Sequence, residues 1–258
     1  MKILVIPDIH GNWEEVIPKI NNYDLSDIDK VVVLGDYVDD FTEALNGKIM
    51  IEGFTKLCNL KRKNPDKFII LMGNHDLSYL SSQRCSGYHW QYDADYRKMF
   101  LSNIDIVDIA CKLDDWVFSH AGLTKSWVEK WVPEELPEET FYKAITKEEW
   151  LNAKDEIGRA NLLLHAGQFD VFGYDNCSNG TDFWGTGDEI TQGPVWVRPT
   201  ALMKDPAFPN QIVGHTEATE SPLLVKNSKL KLIITDSREH NKFYLLDTSN
   251  PPTNFRDK

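Results

Sequence analysis

Cysteine is scarce: only Cys58, Cys85, Cys111 and Cys177 occur in 258 residues, each 26 or more positions from the next. That spacing supplies neither the close pairs of a zinc knuckle nor a redox motif, so the four read as buried thiols in a reducing compartment. Basic charge is in deficit, with 28 Lys and Arg against 40 Asp and Glu and a net charge of −12. This balance excludes broad adhesion to nucleic acid or anionic lipid. Long apolar runs are missing: nothing approaches the ~18–20 consecutive apolar residues of a membrane span. The opening Met1-Lys2-Ile3-Leu4-Val5-Ile6-Pro7-Asp8 turns acidic too soon for a secretory leader, and a cytoplasmic location is the expectation. Internal repeats and linker-like composition shifts are also lacking. What remains, 41% hydrophobic and 26% charged, is ordinary globular composition with length enough for a buried core. Residues 1–258 are expected to form one domain, with a helical and loop-rich insert around 123–194.

In the first half, the β-branched-rich runs Lys2–Ile6, Lys30–Leu34, Lys67–Met72 and Trp116–Ser119 each lead into Gly, Asn, Asp or His, as buried strands do. Asn12–Asn22 and Thr42–Lys63 carry apolar residues at helical spacing, although Pro18 is a poor mid-helix residue. The order β-α-β-α-β predicts a sheet that begins parallel and is covered on both faces. Thr124–Val132 and Glu138–Glu156 read as helices, and their Trp and Glu cluster (Trp127, Trp131, Glu134, Glu135, Glu138, Glu139, Trp150) reads as a face packed on the sheet. His165–Gly193 shows no period. Strand patterns return at Val195–Val197, Gln211–Val213, Leu223–Val225, Lys229–Ile234 and Lys242–Leu246, with a turn at Asn227-Ser228, implying a second, more antiparallel sheet.

Metal-type donors sit at five loops: Asp8-Ile9-His10-Gly11, Gly35-Asp36-Tyr37-Val38-Asp39, Gly73-Asn74-His75-Asp76, Ser119-His120-Ala121-Gly122 and Gly214-His215-Thr216. Singly, each is a turn. Together they pair an apolar run with Asp, Asn or His at its exit every time, and in α/β sheets ligands gather beyond the carboxyl ends of strands. Two divalent ions about 3.5–4 Å apart need a bridging carboxylate and several N/O donors. Mixed Asp and His suit Mn²⁺, Fe²⁺ or Zn²⁺, and the near absence of thiolates argues against a closed structural zinc site.

The five loops, in this order, resemble the calcineurin-like metallophosphoesterase superfamily. Gly35-Asp36-Tyr37-Val38-Asp39 and Gly214-His215-Thr216 resemble its phosphoprotein phosphatase branch, which holds bacterial and phage serine/threonine phosphatases and symmetrical diadenosine tetraphosphate hydrolases. The resemblance implies a four-layer α/β/β/α sandwich of two mixed sheets. It implies that Asp8 and His10 bind a first metal, Asp36 bridges, and Asn74, His120 and His215 bind a second. It places His75 as general acid and Asp39 as the carboxylate that orients it. The implied cofactor is a pair of divalent ions, Mn²⁺ first, with Fe, Zn or Ni as alternatives. The implied reaction is in-line attack of a metal-bridging hydroxide on a phosphate monoester, on a phosphorylated protein or a small phosphoester or nucleotide.

The match breaks at Asp40-Phe41, where that branch has Arg then Gly, and at Met72, where it has a basic residue; Asp76 replaces its usual Glu. Guanidinium forks normally clamp a phosphate dianion. Arg198, in Val195-Trp196-Val197-Arg198-Pro199, resembles a surviving clamp and joins Asn74 as a substrate-binding residue; Arg159 is a weaker second. The lost arginines motivate a phosphodiesterase or nucleotide-polyphosphate hydrolase as the alternative, with Phe169, Phe172, Tyr174, Phe183 and Trp184 available to stack on a base. A non-catalytic scaffold is a third reading. Asp175–Asp182 lacks the spacing of a Ca²⁺ loop and reads as solvated.

Overall fold

A computed structural model of the chain describes residues 1–39, 47–137, 144–174, 186–236 and 242–257. The expected features at Asp40-Phe41, Glu138, Glu139, Cys177, Asp175–Asp182, Phe183 and Trp184 lie outside the described residues. The elements run β1 (Lys2–Ile6), α1 (Trp13–Asn22), β2 (Lys30–Val33), α2 (Gly47–Lys63), β3 (Phe68–Leu71), α3 (Asn74–Leu77), α4 (Asp93–Leu101) and β4 (Val107–Asp108). They continue through β5 (Ala110–Leu113), β6 (Trp116–Ser119), α5 (Lys125–Trp131), α6 (Lys147–Asn152), α7 (Glu156–His165) and α8 (Pro199–Lys204). The chain closes with β7 (Asn210–Val213), β8 (Leu223–Lys226), β9 (Lys231–Ile234), β10 (Tyr244–Asp247) and β11 (Arg256–Asp257).

Two mixed sheets result, ordered β10-β1-β2-β3-β4 and β11-β8-β9-β7-β6-β5. Side chains alternate across each strand, and this period builds the layers. Ile3, Val5, Val32 and Leu71 of the first sheet meet Phe118, Ile212 and Ile233 of the second in one core between the sheets. Leu4, Ile6, Val31 and Ile70 point the other way, onto Trp13, Val16, Phe54 and Leu57 of α1 and α2. On the far side, Val213, Leu232 and Ile234 pack on Ala201 and Leu202 of α8, while Val117 shares a core with Trp127 and Leu163 of α5 and α7. The layers are therefore helices, sheet, sheet, helices.

Register aligns the loops. Ile6 pairs with Val33 and Val33 with Ile70, all parallel, so the chains leaving β1, β2 and β3 emerge at one edge. In the second sheet Phe118 pairs with Ile212 and Val213 with Ile234, again parallel, which brings the exits of β6, β7 and β9 together.

Three expectations are corrected. Val195–Val197 is not a strand: Trp196 and Val197 donate backbone N–H to Gly193 O, so a turn after Gly193-Pro194 delivers both valines into cores and leads into α8, with Pro199 at its first turn. Turn chemistry overrides β-branched composition there. Glu138–Glu156 is not one helix, because Asp155 Oδ1 accepts Gly158 N–H and starts α7 afresh, while the side chains of Thr146 and Glu149 cap α6 reciprocally. The Lys242–Leu246 run, expected in the second sheet, instead gives β10, which joins the first sheet beside β1; the second sheet is mixed as expected, with parallel pairs β11·β8, β9·β7 and β7·β6 among antiparallel ones. Trp127 and Trp150 are fully buried, as the packed-face reading requires. Pro18 lies inside α1 without ending it. No described helix is long and apolar enough to cross a membrane.

Candidate metal centre

Three of the five strand-exit loops, those after β1, β2 and β7, leave their sheets through left-handed non-glycine residues. His10, Asp36, Asp39 and His215 take left-handed backbone conformations with φ of 43°, 53°, 63° and 59°. Such φ values cost non-glycine residues of order 1–3 kcal/mol each and cluster at functional sites. Cross-loop hydrogen bonds hold them: His10 N–H to Asp36 O at 2.7 Å, His75 N–H to Asp36 Oδ1 at 3.0 Å and His215 N–H to Asp8 Oδ2 at 2.9 Å. Close approach demands glycine at two neighbours. A Cβ on Gly73 would lie 2.2 Å from Asp36 Oδ1, and one on Gly214 would lie 2.0 Å from Asp8 Oδ1.

Around this frame Asp8, Asp36, Asp39, Asn74, His75 and His120 are buried, and His10 and His215 half-buried. Three imidazoles share one arrangement. His10 Nδ1 lies 3.0 Å from Asp39 O, with Nε2 3.4 Å from Asp36 Oδ2. His120 Nδ1 lies 3.0 Å from Leu34 O, with Nε2 2.7 Å from Asn74 Oδ1 and 3.5 Å from Asp36 Oδ2. His215 Nε2 lies 3.1 Å from Trp196 O, with Nδ1 2.9 Å from Asn74 Oδ1. Each ring thus bonds a backbone carbonyl with one nitrogen and turns the other toward Asp36 or Asn74.

Two clusters, His10·Asp36·His75 and Asp8·Asp36·His120, bring their donor atoms within 4.8 Å of one another. They share Asp36, but they group Asp8 with His120 and His75 with His10, a different division from the one implied by the resemblance. The donors fit divalent ions. Asp8 Oδ1 is buried without a hydrogen-bond partner, which is costly unless a cation or polar group meets it. Burial, reinforced by the charges of Asp236 and Asp36, pushes the Asp8 carboxyl up. Burial would also raise Asp36, but His120, His75, His10 and His215 hold it below the usual carboxylate range. Burial lowers His120 and, further, His215, which keeps both imidazoles neutral as metal ligation requires.

The remaining residues divide. His75 Nδ1 is 3.2 Å from Asp39 Oδ2; burial disfavours its charge, yet Asp36 and Asp39 outweigh that and raise its pKa. The described part of α2 begins at Gly47, and the Asp39 carboxylate serves His75 and Tyr79. Arg198 braces the His215 loop, with Nη1 donating to His215 O at 3.0 Å and Thr216 Oγ1 at 3.2 Å. Arg159 does not reach the centre: it donates to Val132 O and lies over Trp150. Met72 is fully buried in a helix-facing core. Phe172 is core against Trp127, whereas Tyr174 stands beside Trp196.

Three residues take roles that pattern reading did not assign them. Asp76 is fully buried and accepts N–H bonds from Asp36, Tyr37 and Gly73 at 2.8, 2.7 and 2.9 Å, stapling two ligand loops. Cys85 bonds the amide of Asn74. Asp236, two residues beyond β9, is buried close enough to Asp8 to raise it. Only the apolar run before Asp236 signalled a strand exit.

The family model for calcineurin-like phosphoesterases matches residues 1–216, from β1 through the His215 loop. The chain belongs to the calcineurin-like phosphoesterase family. A protein of Schizosaccharomyces pombe described as a serine/threonine-protein phosphatase is 28% identical to this phosphoesterase over 130 residues, 48% of this chain and 40% of that protein, so the match spans less than half of either. A solved cold-active protein-tyrosine phosphatase of a psychrophilic Shewanella species superposes with a TM-score of 0.54 at 18% identity, covering 96% of this chain and 75% of that one. That likeness shows the two-sheet fold. This family uses divalent metals, in keeping with the donor clusters described above.

Proposed function

We propose that this protein is a two-ion phosphatase acting on phosphate monoesters of the phosphoserine and phosphothreonine kind, with Mn²⁺ as working metal. The observation that carries the reading is the shared arrangement of His10, His120 and His215, each oriented by a backbone carbonyl toward Asp36 or Asn74. Metal-ligating histidines are held in this way. In this reading Asp8 and His10 hold one ion, Asp36 bridges, and Asn74, His120 and His215 hold the other. When bound, the ions supply Lewis acidity to activate water and to hold phosphoryl oxygens.

The chain supplies the proton. His75, buried and held through Nδ1 by the Asp39 carboxylate, is placed to deliver a proton to the departing oxygen, a step worth about 10²–10⁴-fold. Arg198, whose pKa burial lowers against the opposing charges of Asp188, Asp8, Asp236 and Asp36, steadies the His215 loop and offers its guanidinium to a phosphoryl oxygen. The likeness to the Schizosaccharomyces pombe protein described as a serine/threonine-protein phosphatase supports the monoester class.

One observation favours a second reading, a phosphodiesterase or nucleotide-polyphosphate hydrolase. Met72 is buried where the phosphoprotein phosphatase branch carries a basic residue, and a diester has one less charge to clamp. The Mn²⁺-loaded protein is to be assayed on p-nitrophenyl phosphate, bis-p-nitrophenyl phosphate, a phosphoserine peptide and diadenosine tetraphosphate. Monoester turnover above the diester rate supports the first reading, and turnover at or below it rejects that reading for the second.

A further inference from the structure

We propose that Tyr79 is a positioning residue for His75, acting through Asp39. The inference rests on the reading of His75 as general acid given above. Asp39 is fully buried, and both its carboxylate oxygens are committed: Oδ2 lies 3.2 Å from His75 Nδ1, and Oδ1 accepts the Tyr79 hydroxyl. Its backbone carbonyl meets His10 Nδ1 at 3.0 Å. A buried carboxylate needs partners at both oxygens, and Tyr79 is the partner His75 leaves unfilled.

The direction of the Tyr79 bond is settled by its other neighbour. His89 N–H donates to the same hydroxyl at 2.9 Å, so the single phenolic proton points to Asp39. Asp39, accepting on both oxygens, then requires the proton of His75 to sit on Nδ1, which leaves Nε2 as the nitrogen that serves the leaving group. The ring cannot swing away. Tyr88 stacks on it at 4.4 Å and 17°, Tyr96 meets it edge-on at 4.9 Å, and Arg97 Nη1 holds its backbone carbonyl at 3.1 Å. Tyr79 follows α3 by two residues, so the segment that carries Asn74 and His75 also carries the brace for the carboxylate across from them. The logic is that of a carboxylate orienting a catalytic imidazole, with one further link.

Tyr79→Phe removes the hydroxyl and keeps the ring. Two readouts test it. In the metal-free protein, the His75 Nδ1–H resonance is expected to be slowly exchanging and downfield in the native chain, and shifted or lost to exchange in Tyr79→Phe. An unchanged resonance overturns the proposal, whatever the enzyme does. In the Mn²⁺-loaded protein, kcat on p-nitrophenyl phosphate, whose leaving group departs without a proton, is expected to fall less than about 3-fold, while kcat on phenyl phosphate and on a phosphoserine peptide falls about 10-fold or more, part of the worth of a general acid. The selective loss should vanish in a His75→Asn background. A shifted resonance with equal loss on all three substrates leaves Tyr79 as the brace and rejects His75 as the acid. Should Tyr79→Phe fail to fold, 3,5-difluorotyrosine incorporated at position 79 keeps ring and hydroxyl and alters only donor strength; the Nδ1–H resonance must still move, and its constancy overturns the proposal.

Discussion

The side-chain amide of Asn74 donates to Cys85 Sγ at 3.2 Å, and the Cys85 thiol lies 3.3 Å from the Asn74 backbone carbonyl. This reciprocal pair decides which way the amide faces: with the nitrogen on sulfur, Oδ1 is turned to His120 and His215. Burial pushes the Cys85 thiol up to about 12, so it stays a neutral partner rather than a thiolate ligand. Cys85→Ala is expected to weaken Mn²⁺ binding by about 10-fold, at the lower end of what loss of a ligand's orienting partner costs. Titration calorimetry checks this, and an unchanged Kd would show that Asn74 needs no such lock.

Asp36 and His75 should separate metal binding from proton delivery. Asp36→Asn is expected to abolish turnover and lower the metal count by elemental analysis, since both donor clusters share that carboxylate. His75→Asn is expected to keep both ions while kcat falls about 10²–10⁴-fold on a poor leaving group. Equal metal loss in the two variants would make His75 a ligand.

Asp8 sets metal-free stability against function. Its folded pKa is raised by burial and by Asp236 and Asp36, so the ionised form is disfavoured in the fold relative to the unfolded chain. The sign follows: without metal, stability falls as pH rises above the ordinary carboxyl value toward the raised one. Asp8→Asn removes that penalty and keeps an acceptor for His215 N–H. Its melting temperature in EDTA at pH 7 is expected to exceed the native one, and Mn²⁺ to raise it less. A lower melting temperature in EDTA would refute the account.

Asp76→Ala strips the acceptor from three backbone N–H groups at once. Each buried donor left unpaired costs about 1–3 kcal/mol, so destabilisation of about 3 kcal/mol or more is expected in urea unfolding, with loss of metal binding because the Asp36 loop loses its staple. A change below about 1 kcal/mol would show that the loops hold without it.

The proposed donor set was legible in sequence because it is written locally. A β-branched run ending in Asp, Asn or His marks a buried strand and the polar loop at its exit, and Asp8, Asp36, Asn74, His120 and His215 all stand at such exits; the unbroken apolar run of β1 likewise foretold a strand buried on both faces. Only the tertiary structure decided which loops face one another. His215 meets Asp8 across 207 positions, β10 returns to pair with β1, Asp76 and Tyr79 reach Asp36, Tyr37 and Asp39 because parallel register stacks the exits of β2 and β3, and Cys85 meets Asn74 where the chain after β3 folds back on itself. Hydrogen-bond partnership depends on proximity between distant segments, and residue order records proximity only where the chain itself supplies it.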